Sequence, residues 1–127
     1  MHQEVKNWWA QAQHDINAAK NSLTSKDYDW ACFQAQQATE KALKAIYIQE
    51  NNEIRKTHDL TYLATKIKAS VEIIECCSKL NRIYTEVRYP DASEIIPAKK
   101  FSVKDAQEYI DLSEKIIQWL EKKLSRN

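Results

Sequence analysis

The chain has 127 residues, a net charge of +1 from 19 basic and 18 acidic side chains, no glycine, two prolines and three cysteines. One domain of this length can bury roughly two thirds of the surface its unfolded chain exposes, and the absence of glycine argues against an all-β fold with its tight turns. The balanced charge gives no global electrostatic case for nucleic acid, a membrane surface or acidic substrates.

No apolar run approaches the ~20 residues of a membrane span, and the opening MHQEVKNWW lacks the basic-then-apolar layout of a secretory leader. An odd number of cysteines without such a leader reads as reduced thiols in a cytoplasm. Abundant Ala, Lys, Glu, Gln and Leu favour helix.

A first helix is predicted over residues 4–23, where Val5, Trp8, Trp9, Ala12, Ile16, Ala19 and Leu23 form a one-sided stripe flanked by Asp15. The polar turn Thr24-Ser25-Lys26-Asp27 leads into a central helix beginning at Tyr28. Ala31, Ala35, Ala38, Ala42 and Ala45 alternate at spacings of four and three, a narrow seam that lets another helix axis approach closely. Its other side is not plain solvent face: Trp30, Phe33 and Ile48 stand there among Gln34, Gln37, Lys41 and Lys44. Apolar groups on both sides predict packing on both sides, one toward the bundle and one partly toward a partner. Asn51-Asn52 supplies the left-handed cap residue that a chain without glycine needs.

Thr57 is read as capping a short third helix over 58–69, with Leu60, Leu63, Ala64 and Ile67 inward. A fourth helix is predicted over 71–88 on the stripe Ile73, Cys77, Leu80, Tyr84 and Val87, with Cys76 and Ile83 beside it. Pro90 forces Tyr89 toward an extended conformation and stops the helix near Arg88. The stretch PDASEIIPAKKF reads as a loop carrying the apolar pair Ile95 and Ile96. Ser102 and Asp105 then have capping-box spacing. The last helix runs to about Leu124 through Val103, Ala106, Tyr109, Ile110, Ile116, Ile117 and Leu120, with Leu112 and Trp119 as an outward strip. The expected fold is all-α: an antiparallel up-and-down bundle of four long helices plus one short helix, in a single domain over 1–127.

Motif chemistry is sparse. Adjacent Cys76 and Cys77 diverge by about 100° on a helix, and no second Cys or His pair has ligand spacing, so they read as core thiols. His2, His14 and His58 are scattered, and there is no HExxH, CxxC, P-loop or GxGxxG. Glu40/Lys44 and Asp111/Lys115 read as i,i+4 support, and Lys122, Lys123 and Arg126 as complements to a helix C-terminus. Arg88 stands apart, in the last turn of its helix beside a long loop. Its planar fork suits either the final helix carbonyls or a phosphate, with Asp91 three residues on to orient it.

The start Trp9 to Asp15, the segment YDWACFQAQQATEKALKA, THDL at 57–60, RYPDA at 88–92 and the long final helix together resemble the HEPN family (higher eukaryotes and prokaryotes nucleotide-binding). The resemblance covers nearly the whole chain. It implies a helical bundle that commonly dimerises and acts as an RNA-cleaving toxin or as the ligand-binding partner of a minimal nucleotidyltransferase. RNase members carry Arg, four to six residues, then His. Arg88 matches the Arg, but Ser93, Glu94 and Ile95 occupy the allowed histidine positions, so the proton-transfer group is missing there.

The reading is therefore a cytoplasmic, homodimeric nucleotide- or RNA-binding module with a possible nucleotidyltransferase partner, no cofactor, no metal and no membrane. Candidate ligand contacts are Arg88, Tyr89, Asp91, Lys41, Lys44 and His58, with Arg88 the one candidate for catalysis. The alternatives are a metal-independent endoribonuclease with an incomplete motif, or a purely structural interaction domain.

Overall fold

A computed structural model describes residues 2–88 and 95–125, except for the side chains of Arg88 and Ser125. Alanine fixes the architecture. Helix α2 (Tyr28–Asn51) has Ala31, Ala35, Ala38, Ala42 and Ala45 fully buried, so two neighbours lie close against its backbone. Helix α1 (His2–Thr24) runs antiparallel to it, with Asp15 paired to Lys41 in mid-helix and Val5 packed near Ala45 and Ile48 at the far end. Helix α7 (Val103–Ser125) runs parallel to α2, tied by Thr39 to Ser113 at 2.7 Å and by Lys123 to Glu50 at 2.9 Å. The buried hydroxyls of Thr39 and Ser113 also share the Ala35 carbonyl as an acceptor, each at 3.0 Å, which satisfies them inside the seam.

Along the chain, α3 (Leu60–Lys66), α4 (Val71–Asn81), α5 (Ile83–Arg88) and α6 (Pro97–Lys100) connect α2 to α7. No strand occurs among the described residues. The expected all-α up-and-down bundle is the fold observed. Leu43, Ile46, Leu63, Ile67, Leu80, Ile116 and Leu120 are fully buried, each contributing about 1.5–3 kcal/mol of transfer free energy.

Several local expectations need correction. The predicted fourth helix is two helices, interrupted at Arg82, which keeps right-handed helical angles (φ −68°, ψ −19°). The third helix is shorter than expected and is capped by Asp59, whose carboxylate accepts from the Thr61 and Tyr62 amides; Thr57 instead accepts from the Asp59 amide. The predicted loop contains α6, with Pro97 in its first turn, where a missing N–H costs nothing. Ile48 is not outward but buried against Val5 and Ala45, with Trp8, Trp9 and Leu124 around it. Leu112 and Trp119 pack partly buried against the core, and Val103 is exposed. The outward apolar surface of α2 thus reduces to Trp30 and, in part, Phe33.

Two expected caps are present. Ser102 and Asp105 exchange backbone-to-side-chain bonds of 2.9 and 3.1 Å. Asn52 closes α2 at φ 53°, its amide donating to the Ile48 carbonyl. Asn52→Ala is expected to cost about 1 kcal/mol in urea unfolding, the penalty of a Cβ without a local partner in the left-handed region, whereas Asn52→Gly should be neutral or stabilising. Equal losses in both variants would contradict that assignment.

Candidate functional site

The turn before α3 is locked to α4. Asn81 accepts from the Leu60 amide at 2.8 Å and donates to Asp59 at 2.8 Å. The Asn81 amide, and after it the Thr61 hydroxyl, hold the Asp59 carboxyl below the usual carboxylate range. This lock fixes His58 over α2.

His58 Nδ1 lies 3.0 Å from Glu40 Oε1, and Lys44 Nζ donates to Glu40 Oε2 at 2.9 Å. Gln36 Nε2 approaches Glu40 Oε1 at 3.4 Å, and Gln37 donates to Gln36 at 2.7 Å. Glu40, Lys44 and Gln36 are all buried, so this carboxylate is held out of water by partners on both of its oxygens. Lys44 also lies 5.4 Å from the Trp8 ring centroid. A carboxylate only accepts, so His58 Nδ1 carries the proton, and Nε2 is the acceptor of the neutral ring. The imidazole is half exposed and stacks on Tyr84, with centroids 4.2 Å apart and planes at 20°. His58 and Tyr84 line a shallow groove with Thr61, Asn81, Arg82 and Thr85.

Of the residues singled out in the sequence, Lys44 and His58 come together, joined through Glu40. Lys41 does not join them; it pairs with Asp15 on the α1 side. Arg88 is the last residue of α5, one helical turn beyond Tyr84. The Arg88 side chain, and Tyr89, Asp91, Ser93 and Glu94 entirely, lie outside the described residues. Glu40 and Tyr84 are the members that sequence reasoning missed as site residues. The available signal was a Glu-x-x-x-Lys pair set in a helix whose close-packed turns are otherwise alanine.

Other chemistry is absent from the described residues. No group of three His, Cys, Asp or Glu could hold a metal ion, and no helix is long and apolar enough to cross a membrane. The three cysteines are free and buried, as expected of core thiols. Burial, the largest cause, pushes the Cys32 and Cys77 thiols up to about 12, so neither is a nucleophile near neutral pH.

The HEPN domain family's sequence model matches residues 5–123. No functionally curated protein is detectably similar. Among solved structures, TT1696 from Thermus thermophilus superposes with a TM-score of 0.88 at 32% identity, over 94% of this chain and 97% of that one. ST0689, an archaeal HEPN homologue, gives 0.81 at 31% identity over 94% and 96%. An HEPN domain protein of Thermotoga maritima, TM0613, gives 0.75 at 26% identity over 95% and 99%. With nearly its whole length matched in sequence and in fold, the chain belongs to the HEPN family.

Proposed function

We propose that the protein is a nucleotide- or RNA-binding module whose site is the groove at His58 and Tyr84, with Arg88 as the phosphate contact. One observation carries this reading: a buried carboxylate, Glu40, joins Lys44 to His58, and the His58 ring stacks on Tyr84, one helical turn before Arg88. A buried ion pair adds little net stability because desolvation offsets its attraction, which makes such a pair at the edge of a groove a functional-site candidate. Arg88→Ala is expected to weaken RNA or nucleotide binding by about 1.5–3 kcal/mol, the range for a hydrogen bond to a charged group. Anisotropy titration measures it; unchanged binding with sharply reduced stability would leave Arg88 a purely structural residue.

A second reading is metal-independent RNA cleavage, and the His58–Glu40 pair favours it. An imidazole oriented by a buried carboxylate has the arrangement of a general base. It would take the proton of a 2′-hydroxyl as that oxygen attacks the adjacent phosphorus and the bond to the 5′-oxygen breaks, the departing oxygen taking a proton from water to leave a 2′,3′-cyclic phosphate and a 5′-hydroxyl. Any cleavage by the parent protein must then be lost in His58→Ala.

Homodimerisation and pairing with a nucleotidyltransferase are proposed on family resemblance alone. A monomer in sedimentation at tens of micromolar would contradict the dimer.

A further inference from the structure

Four rings stand in series from the groove to the first turn of α2. His58 stacks on Tyr84, Tyr84 lies 6.2 Å from Phe33, and Phe33 lies 5.7 Å from Trp30 at an edge-on angle of 80°. The inner end is anchored to Glu40, while the outer end, Trp30, is 51% exposed. A tryptophan left half in water contributes little of the burial energy it could supply in a core, yet here it extends a row of aromatic rings in mutual contact, its own plane nearly perpendicular to that of Phe33. The flank of the row is polar: Thr61, Ser78, Asn81, Arg82 and Thr85 line the groove beside His58 and Tyr84, together with Asp59, whose carboxylate is already taken up by the Asn81 amide, the Thr61 hydroxyl and the Thr61 and Tyr62 backbone amides. A protein partner would prefer an apolar centre free of such groups. A strand that alternates flat bases with an oxygen-rich, anionic backbone matches both the rings and the Arg82 guanidinium and Ser78 and Thr85 hydroxyls next to them.

We infer that this row is a stacking platform for unpaired bases of single-stranded RNA, with Trp30 as its outermost stacking residue. The inference rests on the proposed RNA-binding role and adds the form of the ligand: a paired base, already covered on both faces, cannot use the platform.

The test is anisotropy titration of a short labelled RNA as a single strand, as a duplex, and as the same strand with consecutive abasic positions. Trp30→Ala should weaken single-strand binding about tenfold, the lower range of one base–aromatic stack, and Trp30→Phe should restore most of it. The abasic strand should lose a similar factor on the wild type and little further on Trp30→Ala, and the duplex should bind more weakly than the strand. Circular dichroism checks that both variants fold, and the abasic strand tests stacking on unaltered protein. Binding lost in Arg88→Ala but indifferent to Trp30→Ala and to base removal would overturn the platform and leave the phosphate site standing. No RNA binding by the wild type would overturn the platform, and no binding of a mononucleotide either would overturn both. Trp30 fluorescence that responds to protein dilution and not to RNA would show a second copy on the row, and would overturn the platform.

Discussion

Glu40→Ala is expected to destabilise the protein by about 3–5 kcal/mol, the cost of leaving a buried charge without its partner. Lys44 is buried and its ammonium donates to Glu40, so removing the carboxylate strands a cation inside the bundle while His58 loses its anchor. For a domain of this size the midpoint should fall by roughly 10–20 °C. Glu40→Gln should cost less, because the amide can still accept from one partner. The double change Glu40→Leu, Lys44→Met should recover most of the loss, because no charge then remains to be solvated. Urea unfolding of the set measures this, and a loss below about 1 kcal/mol for Glu40→Ala would mean that water reaches the network.

The bundle was legible because its signals are periodic. Alanine spacing identified the central helix, and cap chemistry located its end at Asn52 and the start of the last helix at Ser102. Hydrophobic stripes do not report a lapse in hydrogen bonding, so the break at Arg82 left no trace in the pattern, and Val103 fell on the apolar stripe while standing exposed at the first turn. Ile48 was misplaced because a single helical wheel cannot show that α1 and α7 together wrap the far end of α2. The candidate cluster was half legible. Lys44 and His58 were singled out and meet in it, but Glu40 read as an ordinary i,i+4 partner. Its second contact, to His58 eighteen positions away, depends on the Asn81–Asp59 lock, which no local spacing reveals.

Ser93→His is expected to confer metal-independent RNA cleavage at least about a hundredfold above the parent, the lower range for one positioned acid–base group. The change places an imidazole five residues beyond Arg88, within the spacing of the family's RNase motif. A histidine titrates near neutrality, whereas the serine hydroxyl at this position does not. Adding Arg88→Ala to Ser93→His should abolish the gain, since the phosphate would no longer be held. Chelator-treated protein and a labelled RNA ladder read the outcome. Equal cleavage by parent and by Arg88→Ala would place the chemistry elsewhere.

The central claim is that ligand binds in the groove between the His58 turn and α5. Chemical-shift mapping of isotope-labelled protein titrated with a short single-stranded RNA tests it most directly. The account predicts saturable shifts concentrated at residues 57–61 and 78–88, extending to Phe33 and Trp30. Shifts confined to the exposed face of α7 around Val103 and Lys115, or none that saturate, would contradict it.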